Sequence, residues 1–260
     1  MEMPIRVAHR PIARFLVRDH ASPARQWRQS RARLLFADRF PPYFSAMSKK
    51  PDPFAIELTP ELILRAYAAG IFPMAEDAAS ADLFWVSPEI RGVLPLDGFH
   101  ISKSLRKTLR TREFSVRIDT DFEAVIDGCA TEGEDRDSTW INPEIRRLYG
   151  ELFRRGFVHT VEVWADGELV GGLYGLALGA AFFGESMFHR VTDASKIAMA
   201  HLVERLNAGG FRLLDTQFIT AHLQSLGGIE IPREAYEVRL ADALAHKGDF
   251  FAWDRPGDGA

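Results

Sequence analysis

Cysteine is nearly absent. Cys129 is the only one among 260 residues, which excludes an intramolecular disulfide framework and any cysteine-based zinc site, and fits a reducing cytosol. Long hydrophobic runs are missing too. Charges or glycines break every apolar stretch well short of the ~18–20 residues that a membrane span needs. The eight histidines make no metal-ligand pattern. The glycines match neither the dinucleotide nor the P-loop spacing, and there is no Gly-x-Ser-x-Gly elbow. Gly171, Gly172, Gly175, Gly179 and Gly184 read instead as turns and close strand contacts. Nothing implies a metal, a nucleoside triphosphate or a redox cofactor, and no cofactor is expected.

What is present is ordinary soluble-protein material, 47% hydrophobic and 26% charged, enough for one or two compact units with real cores. The net charge of −4 hides an asymmetry. Residues 1–50 hold eleven Lys+Arg against three Asp+Glu, a net of +8, so the remaining 210 carry −12. This Pro-interrupted stretch ends in Met47-Ser48-Lys49-Lys50-Pro51. It mimics a transit peptide or a nucleic-acid-binding arm, but its composition reads as a disordered extension or as sequence upstream of an initiator at Met47.

Order is expected from residue 54. Thr59-Pro60-Glu61 is a helix start, with a capping hydroxyl, a proline where no amide donor is needed, and an acid facing the dipole. Gly70 closes that helix. Short apolar stretches around Phe72, Trp85 and Val93 complete a small α+β unit over 51–99 that is too small to be secure alone. From residue 100 to 250 the pattern sharpens. A helix capped by Ser102, a strand to Ile118, and helices at 122–130 and 143–155 precede a hairpin about Asp166-Gly167. A third strand at 179–188, a helix at 193–207, a strand at 212–218, a short helix at 221–226 and a last helix at 232–245 follow, with a tail over 251–260. The fold class is α+β, with the strand–helix order of the mixed-sheet core of acetyltransferase-like (GNAT-type) enzymes. In such folds the pyrophosphate of coenzyme A wants a glycine-rich turn at the helix that follows the meander. Here that helix opens Arg190-Val191-Thr192-Asp193, with no glycine and one acid, which argues against such a donor.

Several side chains could carry chemistry. Asp215 and Gln217 share one face of a predicted core strand, where an unpaired acid or amide is costly. Asp215 would bind or deprotonate an amine with the amide orienting it, or else both sit at a solvated strand end. Glu185 lies among aromatics in Phe182-Phe183-Gly184-Glu185-Ser186-Met187-Phe188. It either recognises a cationic group beside an apolar pocket or pairs with Lys196 or Arg190. Lys103, Arg106, Lys107 and Arg110 recur at helical spacing as a basic stripe, suited to a phosphate backbone or simply solvated. Trp85 and Trp140 are either core residues or platforms for a nucleobase.

Taken in order, Ala66-Tyr67-Ala68-Ala69-Gly70-Ile71-Phe72-Pro73, Trp85-Val86-Ser87-Pro88, Thr139-Trp140-Ile141, Gly171-Gly172-Leu173-Tyr174-Gly175, Gly184-Glu185-Ser186-Met187-Phe188, Ala194-Ser195-Lys196, Asp215-x-Gln217 and His222-Leu223-x-Ser225-Leu226-Gly227 resemble the leucyl/phenylalanyl-tRNA–protein transferase family over about residues 54–240. The resemblance implies a small N-terminal domain on an acetyltransferase-like domain. It also implies transfer of Leu or Phe (sometimes Met) from aminoacyl-tRNA to acceptor proteins beginning with Arg or Lys, which marks them for degradation. On that basis Asp215 and Gln217 are the catalytic pair. Glu185, Leu173, Ala177, Phe182 and Leu202 form the donor pocket, Trp85 and Trp140 hold the terminal adenosine, and the stripe from Lys103 to Arg110 meets the acceptor stem. Leu173 and Leu202 stand where some relatives carry methionine and phenylalanine, and Thr220 replaces an asparagine found in some relatives near the acceptor site. A cytoplasmic monomer with no membrane partner is expected. An acyl-CoA-dependent N-acyltransferase and a non-catalytic tRNA-binding module are the rival readings.

Overall fold

A computed structural model describes residues 58–80, 83–131 and 139–255. The basic extension expected over 1–50 lies outside the described residues, as does the tail beyond 255. Helix α1, Pro60–Ala68, forms as its start signals require, with the Thr59 hydroxyl accepting from the Leu62 amide at 3.2 Å. Ile63 and Tyr67, one turn apart, are its buried face. Strands β1, Phe72–Ala75, and β2, Leu83–Val86, make a two-stranded antiparallel sheet that sets Trp85 opposite Pro73. Strand β3, Ile90–Val93, joins the large sheet instead.

Helix α2, Lys103–Thr111, is capped by Ser102. Strand β4, Ser115–Ile118, helix α3, Phe122–Ala130, and helix α4, Pro143–Arg154, follow. Strands β5, Val158–Ala165, and β6, Glu168–Leu178, turn through Asp166 and Gly167, both at positive φ as a tight hairpin demands. Next come β7, Ala181–His189, helix α5, Ala194–Ala208, and β8, Leu213–Gln217. Helix α6, Ala221–Ser225, strand β9, Ile229–Pro232, helix α7, Arg233–Leu244, and a 3-10 turn at Ala252–Asp254 complete the chain.

The large sheet runs β4-β5-β6-β7-β8-β3-β9. Every neighbouring pair is antiparallel except β7 with β8, which α5 connects as a crossover. The sheet divides two cores. Ile63, Tyr67, Ile126, Tyr149, Phe183, Leu213 and Tyr236 belong to the first, with α1, α3, α4 and α7. Leu105, Val161, Phe182, Leu202, Leu206 and Leu214 belong to the second, with α2 and α5. Consecutive residues Phe182/Phe183 and Leu213/Leu214 thus point to opposite faces, as the pleat requires. A β-bulge interrupts β7, where Tyr174 opposes Ser186 and Gly175 opposes Gly184, leaving Glu185 without a partner. The extra residue allows Phe183 and Phe188, an odd number apart, to pack in the same core. Gly175 is required beside it, because a Cβ there would lie 2.3 Å from the Phe182 ring.

Candidate active site

The parallel pairing of β7 and β8 covers only Ala181–Leu213, Phe182–Leu214 and Phe183–Asp215. Glu185 and Gln217 come just past its end, one on each strand. Two neighbouring polar networks form there.

Asp215 is fully buried and holds the first. Arg91, from β3, donates Nε to Oδ1 at 3.0 Å and Nη2 to Oδ2 at 2.6 Å. The Tyr236 hydroxyl of α7 donates to Oδ2 at 2.7 Å, and the Gln217 amide donates to Oδ1 at 2.8 Å. Both carboxylate oxygens are therefore saturated at 0% exposure. Arg91 is itself 1% exposed, sandwiched between the rings of Phe72 and Tyr236 at 4.6 and 4.4 Å, and its Nη1 donates to the Gly70 carbonyl. Burial works against the guanidinium charge, and the Asp215 carboxylate more than restores it, holding Arg91 above its ordinary value. Burial, with the Asp215 charge second, pushes the Tyr236 hydroxyl up as well, so it stays a donor.

Gln217 ends the strand in a left-handed conformation, φ 57°, which is uncommon for a residue with a side chain. The Phe218 amide turns back to the Thr216 carbonyl at 2.6 Å, closing a tight three-residue turn about Gln217. The Asp215 carboxylate, by accepting the Gln217 amide, supports this strained geometry. The Gln217 side chain is 7% exposed, and its Nε2 has no protein partner.

The second network surrounds Glu185. Tyr67 donates to Oε1 at 2.6 Å, Tyr149 lies 3.2 Å from Oε2, and the two tyrosine hydroxyls bond each other. Glu185 nevertheless keeps part of its surface open. Burial raises its carboxyl to about 8, with the two tyrosine bonds opposing that rise and the Asp215 charge adding to it. Tyr67 and Tyr149 are raised well above the usual phenol range, chiefly by burial and then by the Glu185 charge. Of the ion pairs considered for Glu185, neither forms: Lys196 bonds Asp193 at 2.8 Å and Arg190 donates to the Leu169 carbonyl.

Asp215, Glu185 and Gln217 are thus brought together. Trp85 and Trp140, both partly exposed, pack against the first core. Leu173, Phe182 and Leu202 are buried in the second core, with Ala177 packed against it. The apolar residues and Glu185 therefore attach to opposite faces of the sheet. The basic helix α2 also lies on the second side, with Leu105 buried there. Lys103, Lys107 and Arg110 are exposed, while Arg106 is half-buried and reaches the Ile101 carbonyl. Thr220 caps α6, accepting from the Leu223 amide at 3.2 Å.

Four site residues escaped the sequence reading: Arg91, Tyr236, Tyr67 and Tyr149. Tyr67 looked like another apolar position of α1. The available signal was Arg91, a lone arginine in a short apolar strand, where a buried charge needs an acid partner.

A mixed sheet with a meander, a helical crossover and one parallel pair that stops short, with acids at that gap, defines an acetyltransferase-like domain. Family models for leucyl/phenylalanyl-tRNA protein transferase match residues 93–241, and for its N-terminal domain residues 56–89. A leucyl/phenylalanyl-tRNA–protein transferase of Paramagnetospirillum magneticum is 63% identical over 193 residues, spanning 74% of this chain and 92% of that protein. One from Rhodopseudomonas palustris strain HaA2 is 56% identical over 211 residues, 80% and 94% of the two chains. The chain belongs to the leucyl/phenylalanyl-tRNA–protein transferase family. Among solved structures, a ribosomal-protein-alanine N-acetyltransferase from Brucella melitensis biovar Abortus 2308 overlaps 44% of this chain and 87% of its own, at 11% identity and a TM-score of 0.31.

Proposed function

We propose that this protein transfers leucine or phenylalanine from aminoacyl-tRNA to the amino terminus of proteins beginning with arginine or lysine, in the cytoplasm where charged tRNA is made. The observation that carries the reading is the meeting of Glu185 and the Asp215 network at the end of the β7–β8 pairing. A donor ester at that gap has its adenosine on the side of Trp85 and Trp140. The family resemblance assigns its amino-acid side chain to Leu173, Ala177, Phe182 and Leu202, an aliphatic and aromatic set that suits Leu and Phe, with Leu173, Phe182 and Leu202 buried in the second core. The exposed cations Lys103, Lys107 and Arg110 meet the phosphates of the acceptor stem.

The ester is already activated, so aminolysis needs no nucleoside triphosphate. The acceptor α-ammonium, with pKa about 7.7–8.0, must first lose a proton. Glu185, raised to about 8, is matched to it, so the proton moves between them at little cost. The freed amine nitrogen attacks the ester carbonyl carbon and gives up a second proton to solvent as the C–O bond to the ribose breaks. Glu185 returns the first proton to the departing ribose oxygen, so one proton is released overall. Asp215 has no free lone pair for this work. It is the anchor that holds Gln217, whose unpartnered Nε2 is a donor available to the ester carbonyl as negative charge develops on it.

The test is transfer of labelled Phe from Phe-tRNA to an Arg-initiated acceptor. Transfer from acyl-CoA instead would favour an acyl-CoA enzyme, which Asp193 already disfavours. Its carboxylate bonds Thr108 and Lys196 at the start of α5, where a pyrophosphate would have to sit. Binding of tRNA without transfer would leave a non-catalytic module.

A further inference from the structure

We propose that Arg233 is a positioning residue for the donor's 3′ end, acting through the strand that carries Trp85. The inference rests on the reading of Trp85 as a stacking platform. Arg233 opens α7 and makes three hydrogen bonds to three consecutive carbonyls. Its backbone amide donates to Glu89 at 2.9 Å, its Nε to Pro88 at 3.0 Å and its Nη2 to Ser87 at 2.7 Å. These carbonyls form the short linker between β2, which ends one residue after Trp85, and β3, which carries Arg91.

The choice of partners is informative. Glu89 and Glu234 flank Arg233 and are exposed, yet among the described residues Arg233 forms no ion pair. Its guanidinium is turned inward and half-buried on main-chain oxygens. A planar fork meeting two adjacent carbonyls sets direction as well as distance, which a lysine cannot do. The linker transmits that direction. Pro88 has a fixed φ, and Ser87, preceding a proline, is confined to extended backbone. Fixing their carbonyls therefore fixes the exit of β2 and the position of Trp85 relative to β3. Strand β3 is paired with β8 at Val93–Asp215, so Arg233 ties the platform to the strand that holds the Asp215 anchor. A platform held in place before the donor arrives lowers the cost of binding it, so loss of that alignment shows in KM.

The experiment compares the full chain with Arg233→Lys, Arg233→Ala and Trp85→Ala. It measures KM and kcat for Phe-tRNA, and the affinity for the same tRNA lacking its terminal adenosine. Both Arg233 variants are expected to raise KM about tenfold while kcat stays within about twofold, and to bind the truncated tRNA as the parent does. Trp85→Ala is expected to share this pattern. A normal KM in Arg233→Lys, which keeps the charge and the fold but loses the fork, would overturn the proposal. So would an equal loss of affinity for the truncated tRNA, which would make Arg233 a phosphate contact. If Trp85→Ala alone raises KM, the platform stands and the clamp fails. If Trp85→Ala leaves KM unchanged, the platform reading fails and the clamp with it.

Discussion

Replacing Asp215 by alanine removes one side of a buried ion pair and leaves Arg91, 1% exposed, with its charge uncompensated. Breaking such a pair costs about 3–5 kcal/mol. For a domain of this size that lowers Tm by roughly 6–20 °C, at about 2–4 °C per kcal/mol. The loss is a large part of a typical margin of about 5–15 kcal/mol. Turnover is expected to fall far more than tRNA affinity, because the Gln217 turn loses the oxygen that accepts its amide, while Trp85, Trp140 and helix α2 are untouched. The two effects separate in a second variant, Arg91→Met with Asp215→Leu, which replaces the pair by apolar groups. It should regain at least half of the lost Tm, the remainder going to the orphaned Tyr236 hydroxyl and Gly70 carbonyl. Its turnover should stay low. Thermal unfolding and single-turnover transfer on both variants are the assays. A loss in Asp215→Ala below about 1 kcal/mol would refute the buried-pair argument, and recovered turnover in the double variant would refute the anchor.

Glu185→Gln tests the proposed proton transfer. The unfolded carboxyl releases its proton above about 4.5, whereas the folded one holds it until about 8. Parent stability should therefore fall with rising pH across that window, by up to about 1.4 kcal/mol per unit, and this contribution should vanish in the variant. Its turnover should drop about 100-fold at every pH, the ionisation near pH 8 that remains being that of the acceptor amine; unchanged turnover would remove Glu185 from the chemistry. Reversing Lys103 and Lys107 to Glu should weaken tRNA binding and flatten its salt dependence, measured by filter binding between low and moderate salt. An identical salt slope would leave the stripe as a solvated helix face.

Local rules made most of the fold legible in the sequence. Thr59-Pro60-Glu61, the Ser102 cap and the Asp166-Gly167 turn act within a few residues, so their elements could be placed without tertiary knowledge. Asp215 and Glu185 stood out because an acid inside an apolar strand is costly wherever that strand is buried, and the family resemblance gave them and Gln217 their expected roles. The partners of those acids were beyond such reasoning. Arg91 lies 124 residues from Asp215, and Tyr67 lies 118 residues from Glu185. Only the strand order that inserts β3 between β8 and β9, and the packing of α1 and α4 on the first face, brings them into contact.

The bulge at Glu185 is a further tertiary decision. It reverses the alternation of β7, which period-two reading cannot foresee, and sends Met187 to the second core while Glu185 stays with the tyrosines of the first. By itself the amino-acid sequence determined most of the helices and strands, β9 excepted, and which acids are expensive to bury, since both follow largely from short-range sterics and solvation. Three-dimensional packing decided which acid is saturated and which keeps part of its surface open, because that depends on how many donors the fold gathers around each carboxylate.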